Sequence, residues 1–260
     1  PLIVAGHGIR LANAERAFAD LMQKTNVPVV TTFNGFDLVT EDDPHYIGRI
    51  GTIGQRAGNF ALQNADCVLF LGTRNNIRQV SHNWENFAKR AFKIVVDIDE
   101  SELKKPLVRP DLAVCADLAD FLPALVKAVP AIDAADWLKW CRERKAKFDF
   151  AHTPEYRQTG DKINAYAFMH AVSLATAEND LCVMANATAT ICTFQTAEIK
   201  SGQRIFSNSG DASMGYDLPA AIGACIAAGR RNTVCLAGDG SIMMNLQDLQ
   251  TIKHNALPIK

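Results

Sequence analysis

The sequence predicts an α/β protein made of two doubly wound, mostly parallel sheets in succession, the second truncated at its C-terminus. Short β-branched apolar runs alternate with amphipathic, alanine-rich segments up to about Val129, and the alternation resumes from Ile163. Continuous apolar strands separated by helices indicate a parallel sheet covered on both faces. Between the two stretches, residues 130–161 are charged, aromatic and short of strand signals, as a connecting helix and linker would be. The expected division is one domain at 1–129, a linker at 130–161 and a second, partial domain at 162–260.

In the first domain the expected strands are Leu2 to Gly6, Val27 to Thr32, Cys67 to Gly72, Phe92 to Asp99 and Leu112 to Asp117, each apolar and strand-sized. Helical periodicity marks Ala12 to Lys24 and Leu118 to Val129, the latter with Pro123 expected near its first turn. In the second domain a helix over Ala165 to Ala177 precedes strands at Leu181 to Asn186 and Arg204 to Asn208. A helix over Asp217 to Gly229, a strand at Thr233 to Gly238 and a helix over Ile242 to Asn255 follow. The opening "PLIVAGHG" reads as a strand already under way and the closing "LPIK" as another just begun, so both ends are expected to be cut ends.

Charge excludes some partners. The 27 Lys and Arg residues nearly balance 28 Asp and Glu residues, giving a formal charge of -1, so no global basic field favours nucleic acid or an anionic membrane. No apolar run approaches the roughly 20 residues of a membrane helix. The seven cysteines are scattered through apolar segments without CxxC or zinc spacing. They read as buried hydrophobes in a reducing compartment, and a cytoplasmic location is expected.

Two segments carry the chemistry. "AGDGSIMMNLQDLQTI" places Gly238-Asp239-Gly240-Ser241 at the carboxyl end of a strand, where the next helix points unpaired N–H groups at a ligand. The glycines let the backbone approach, Ser241 can cap the helix, and Asp239 offers a hard oxygen suited to Mg2+ or Ca2+. Taken alone, the tetrapeptide is equally a tight turn with a capping serine. "SNSGDASMGYDLPAAIGA" adds a second glycine-flanked turn before a small-residue helix, from which Met214 can project under a flat ring. By contrast "AGHGIR" is half a dinucleotide fingerprint with Leu11 at the third glycine position, and reads as a plain strand-to-helix turn. The histidines show no metal spacing, and "RERKAK" (142–147) reads as a solvated face.

With both motifs in order on strand and helix boundaries, the second domain resembles the diphosphate-binding domain of thiamine diphosphate-dependent enzymes of the acetolactate synthase type. "PLIVAGHGI", "PVVTTFNGFDLVTEDDPHYIGRIGTIGQRAGNFALQNADCVLFLGTR" and "KIVVDIDESELKK" resemble the family's central domain. The resemblance implies a 2-oxo acid substrate such as pyruvate, decarboxylation and carbon–carbon bond formation, and a transferase or lyase that works as a homodimer or homotetramer. It implies thiamine diphosphate and Mg2+ as cofactors, and admits FAD near Gly51 to Gly58 and Gly72-Thr73-Arg74. Asn75 and Asn76 stand where the synthases usually have Phe-Asp-Asp.

By the same resemblance Asp239 is a metal ligand, and Gly238, Gly240 and Ser241 contact the diphosphate. The carbonyl of Ala212 accepts from the aminopyrimidine, Met214 supports the bent cofactor, and Thr188 gives a hydroxyl to the diphosphate. Ala185 and Ala187 depart from the family's acidic residue and glycine after the first strand. No catalytic residue is assigned. The family's essential glutamate belongs to a preceding domain and its second, asparagine, metal ligand to a later loop, so these 260 residues alone are expected to be inert. The alternative is a non-catalytic nucleotide-binding or dimerisation module with a vestigial groove.

Overall fold

A computed structural model describes residues 1–157 and 160–260. The chain divides into two compact units, Pro1–Thr153 and Pro154–Lys260. Gln158 and Thr159, within the expected linker, lie outside the described residues.

Unit 1 holds a six-stranded, wholly parallel sheet: β1 (Leu2–Ala5), β2 (Val29–Thr31), β3 (Tyr46–Arg49), β4 (Cys67–Leu71), β5 (Phe92–Asp97) and β6 (Leu112–Cys115). The order β3-β2-β1-β4-β5-β6 reverses direction between β1 and β4, the switch point of a doubly wound fold. Seven helices connect and cover the strands: α1 (Gly8–Leu11), α2 (Glu15–Thr25), α3 (Arg56–Asn64), α4 (Ile77–Val80), α5 (Glu100–Leu103), α6 (Leu118–Ala128) and α7 (Ala135–Lys147). Because side chains alternate across a strand, Leu2, Val4, Val68 and Phe70 pack on one face with α3 and Cys141 of α7. Ile3, Ala5, Val29 and Leu71 pack on the other with α2 and α6. Two-sided burial explains why these strands read as unbroken apolar runs.

Three features differ from expectation. Strand β3 was hidden in "PHYIGRIG"; its pairing to β2 shifts register between Val29 and Val30, and Gly48 has φ +134. Its buried Arg49 stacks over Phe36 at 5.3 Å and lies 3.5 Å from Glu41. The basic run on α7 is only partly a solvated face: Lys145 reaches Glu41 at 3.1 Å and Arg144 stacks over Trp140 at 3.9 Å. Trp137 Nε1 donates to Pro1 O at 2.7 Å, so α7 is fastened to unit 1. Pro123 sits inside α6 past its first turn, where it removes a helical N–H donor.

At the switch point Gly8 N–H donates to Gly72 O at 3.0 Å, and a Cβ on Gly8 would stand 2.7 Å from Gly72 Cα. "AGHGIR" is therefore a turn in backbone contact with the loop after β4.

Unit 2 holds a three-stranded parallel sheet in the order β8-β7-β9: β7 (Leu181–Met184), β8 (Arg204–Ser207) and β9 (Thr233–Leu236). Ile259 bridges Thr233 in parallel, so "LPIK" runs beside β9. The helices are α8 (Ala165–Ala175), α9 (Ala187–Thr196), α10 (Asp217–Ala227), α11 (Asp239–Met243) and α12 (Asp248–His254). Helix α9 carried no clear signal because four threonines weaken helical propensity, and three of them are buried. Burial accommodates them: Thr193 donates to Ala189 O at 2.6 Å, Thr196 to Cys192 O at 2.8 Å, and Thr190 to Ala185 O. The single helix expected over 242–255 is two helices joined by a turn at 244–247. Among the described residues no helix is long and apolar enough to cross a membrane.

Burial pushes the Cys141, Cys182 and Cys235 thiols from 9.0 up to about 12. A raised folded pKa contributes stability that is whole below the unfolded value and is lost as pH climbs toward the folded one. Chemical denaturation is expected to give a falling unfolding free energy as pH rises above about 9. At pH 8 a thiol reagent is expected to label the exposed Cys115 in the native chain and Cys141 and Cys182 only on unfolding.

Candidate functional site

In unit 2, Met184 pairs with both Ser207 and Leu236, so the carboxyl ends of all three strands lie level. The three loops that follow converge on one edge of the sheet, the position where open α/β sheets bind ligands.

The loop after β7 carries Asn186, Ala187 and Thr188. Asn186 is the N-cap of α9, yet its side chain makes no capping bond. Its Nδ2 instead donates to Ala212 O in the next loop at 2.7 Å. Ala187 has φ +46, a left-handed conformation that an alanine adopts at a cost of about 1–2 kcal/mol. Thr188 is exposed on the first turn of α9.

In the loop after β8, Ala212 also has positive φ, +54, and Met214 is 45% exposed. Gly215 follows with φ +80; its N–H donates to Ser241 Oγ at 2.8 Å, and its carbonyl accepts from Asn245 Nδ2 at 2.5 Å. A Cβ at Gly215 would stand 2.8 Å from that Asn245 Nδ2.

After β9, Gly238 is the extended N-cap of α11, whose first return bond runs from Ile242 N–H to Gly238 O. The N–H groups of Asp239, Gly240 and Ser241 precede that bond, and Gly240 N–H is taken by Asp239 Oδ1 at 2.8 Å. Asp239 is exposed. Ser241 does not cap the helix as expected. It sits inside α11, 3% exposed, because its hydroxyl donates to Asp217 Oδ1 at 2.8 Å while accepting from Gly215.

The two motifs meet at Met214 and Gly240. A Cβ on Gly240 would stand 2.9 Å from Met214 Cε, so absence of a side chain at 240 makes room for the methionine. Ala212, Met214, Gly240, Ser241 and Asp239 are thereby drawn together, while Thr188 lies two residues beyond Asn186, whose side chain reaches Ala212. Sequence reasoning missed Asn186, Asp217 and Asn245. Asn186 sat beside two alanines that had drawn attention away from it, and Asn245 lay inside what read as an uninterrupted helix.

A doubly wound unit followed by a parallel sheet with glycine-flanked loops at its strand ends is the frame on which open α/β proteins hold a ligand. Residues 1–125 match the family model "Thiamine pyrophosphate enzyme, central domain", and residues 186–260 match "Thiamine pyrophosphate enzyme, C-terminal TPP binding domain". The chain belongs to this family and carries these two domains. Among curated relatives, it is 32% identical over 262 residues to the acetolactate synthase isozyme 2 large subunit of Escherichia coli (strain K12), covering 100% of this chain and 46% of that protein. It is 30% identical over 260 residues to the isozyme 1 large subunit of the same organism, again over 100% of this chain and 45% of the relative. For the acetolactate synthase large subunit of Lactococcus lactis subsp. lactis (strain IL1403) the figures are 29% over 266 residues, 100% and 44%. The chain thus spans less than half the length of the relatives it matches.

The two glycines differ in what they tolerate. Gly240→Ala is expected to cost under about 1 kcal/mol, since the flexible Met214 tip can move, but to shift the Met214 methyl resonance. Gly215→Ala is expected to cost more than about 1–2 kcal/mol, because the left-handed backbone penalises any Cβ. Thermal denaturation of both variants, with a methyl spectrum of the first, checks the contrast.

Proposed function

We propose that the chain is part of a thiamine diphosphate- and Mg2+-dependent enzyme acting on 2-oxo acids, of the acetolactate synthase type, that decarboxylates pyruvate and forms a carbon–carbon bond. The observation that carries this reading is the contact of Met214 with Gly240, which joins the ring-supporting motif to the diphosphate motif at one sheet edge.

The residues suit the diphosphate half of the cofactor. Helix-start N–H groups and two glycines lie at a strand end, and Asp239 presents an exposed carboxylate beside them. Among the described residues no group of three acidic, histidine or cysteine side chains could hold a metal. Asp239 would therefore be one ligand to Mg2+, with phosphate oxygens and other groups completing six-fold coordination. Met214 would support the rings, and Ala212 O, already accepting from Asn186, retains a lone pair for the aminopyrimidine. When bound, thiamine diphosphate supplies the nucleophilic carbon and the electron sink for decarboxylation.

Three of the glycines at which the resemblance admits FAD are crowded by the chain's own backbone. A Cβ on Gly54 or Gly58 would stand 2.7 Å from Arg49 O, and one on Gly72 would stand 2.7 Å from Gly8 Cα. These glycines serve the chain's own packing. We therefore derive no role for FAD.

Exposed Met214, Met243, Met244, Leu246 and Leu249 support the reading of a homodimer or homotetramer in which a partner covers this edge. The free cysteines support a reducing, cytoplasmic setting.

Calorimetry on the natural full-length protein is expected to detect thiamine diphosphate binding only with Mg2+, and Asp239→Asn is expected to weaken it more than about a hundredfold. Binding that ignores Mg2+, or none, would support the non-catalytic module instead. The 260 residues alone are expected to release no CO2 from pyruvate; measurable release would overturn the claim that they are inert.

A further inference from the structure

Asp217 is the first residue of the 11-residue helix α10 and is 0% exposed. Its Oδ1 accepts from Ser241 Oγ at 2.8 Å, and its Oδ2 has no hydrogen-bond partner among the described residues. A carboxylate so deeply buried is costly, even at a helix start that favours negative charge. Packing alone would be served better by an apolar residue of similar size.

The direction of the bonds around it is fixed by chemistry. Gly215 N–H can only donate, the Asp217 carboxylate oxygen accepts, and a hydroxyl has one proton to give. The Ser241 proton therefore goes to Asp217, and a lone pair of the same oxygen faces Gly215 N–H. Without the carboxylate, that proton is free to rotate toward other acceptors. The relay runs from the loop after β8, through the helix that follows β9, to the helix that follows the loop itself. At its first end Gly215 adjoins Met214, and at its middle Ser241 is two residues from Asp239.

We propose that Asp217 is a positioning residue: through Ser241 it locks Gly215, and with it Met214, against the Asp239 loop before any cofactor arrives. This gives Ser241 a role other than the hydroxyl contact to diphosphate that the family resemblance implies. The proposal rests on the reading that this edge receives thiamine diphosphate, but the relay itself can be tested without ligand.

The test is amide exchange at Gly215, followed by nuclear magnetic resonance in the ligand-free 260-residue chain with 15N-labelled glycine. Ser241→Ala is expected to speed exchange about tenfold, the value of one well-formed hydrogen bond. Asp217→Ala should do the same, while Asp217→Asn should stay within about threefold of the native chain, because an amide oxygen still accepts the hydroxyl proton. Should Asp217→Ala fail to fold, Ser241→Ala and the near-isosteric Asp217→Asn still decide the matter. Unchanged Gly215 exchange in Ser241→Ala, or equal acceleration in Asp217→Asn and Ser241→Ala, overturns the relay. In the full-length protein, Mg2+-dependent affinity for thiamine diphosphate should fall in Ser241→Ala and be retained in Asp217→Asn. If the native protein binds no thiamine diphosphate, the cofactor reading fails while the exchange result still stands or falls by itself.

Discussion

Everything at the site depends on the parallel pairing of β7 with β8 on one side and β9 on the other. Parallel strands need crossover helices, and each crossover returns the chain to the same edge before the next strand starts. With Met184 opposite both Ser207 and Leu236, three loops distant in sequence are delivered to one level. A register slip of one residue in β9 would turn every side chain of that strand to the opposite face and move its loop by roughly 3.3 Å. The same ladder logic builds unit 1, where alternation along β1 gives Leu2 and Val4 to one core and Ile3 and Ala5 to the other.

The fold was legible because two-sided burial leaves a coarse mark, an apolar run of four to six residues between helices. Strands β1, β4, β5, β7 and β9 were found within two residues of their ends. What escaped was held by tertiary contacts. Strand β3 is four residues around a positive-φ glycine, and its arginine is buried by a ring and a carboxylate that no local pattern announces. Helix α9 contradicts its propensities because its threonine hydroxyls find carbonyls one turn back. The helix after β9 breaks because Asn245 is drawn to Gly215 O.

The site was legible as two motifs and illegible as a network. Glycines and an aspartate at a strand end announce a ligand edge, and Met214 stood out beside them. The polar side chains that organise this edge have no such signature. Asn186 and Asn245 donate to backbone carbonyls of a loop remote in sequence, and Asp217 accepts from a hydroxyl on a later helix, so their partners become visible only after folding. The left-handed backbone at Ala187 and Ala212 belongs to the same category, since alanine gives no warning of positive φ. Strain of this kind persists only where surrounding bonds over-determine it. Here the Asn186 to Ala212 bond joins one strained alanine's neighbour to the other.

The contact between Met214 and Gly240 has a consequence for how this groove can change over time. Space at position 240 is bounded by the side chain at 214, so a residue larger than alanine at 240 is not free to arise alone. A larger residue at 240 becomes admissible only with a shorter or differently directed residue at 214. Members of a lineage that keep this edge should therefore pass the two on as a correlated pair, and a lineage that has abandoned it should lose the correlation first.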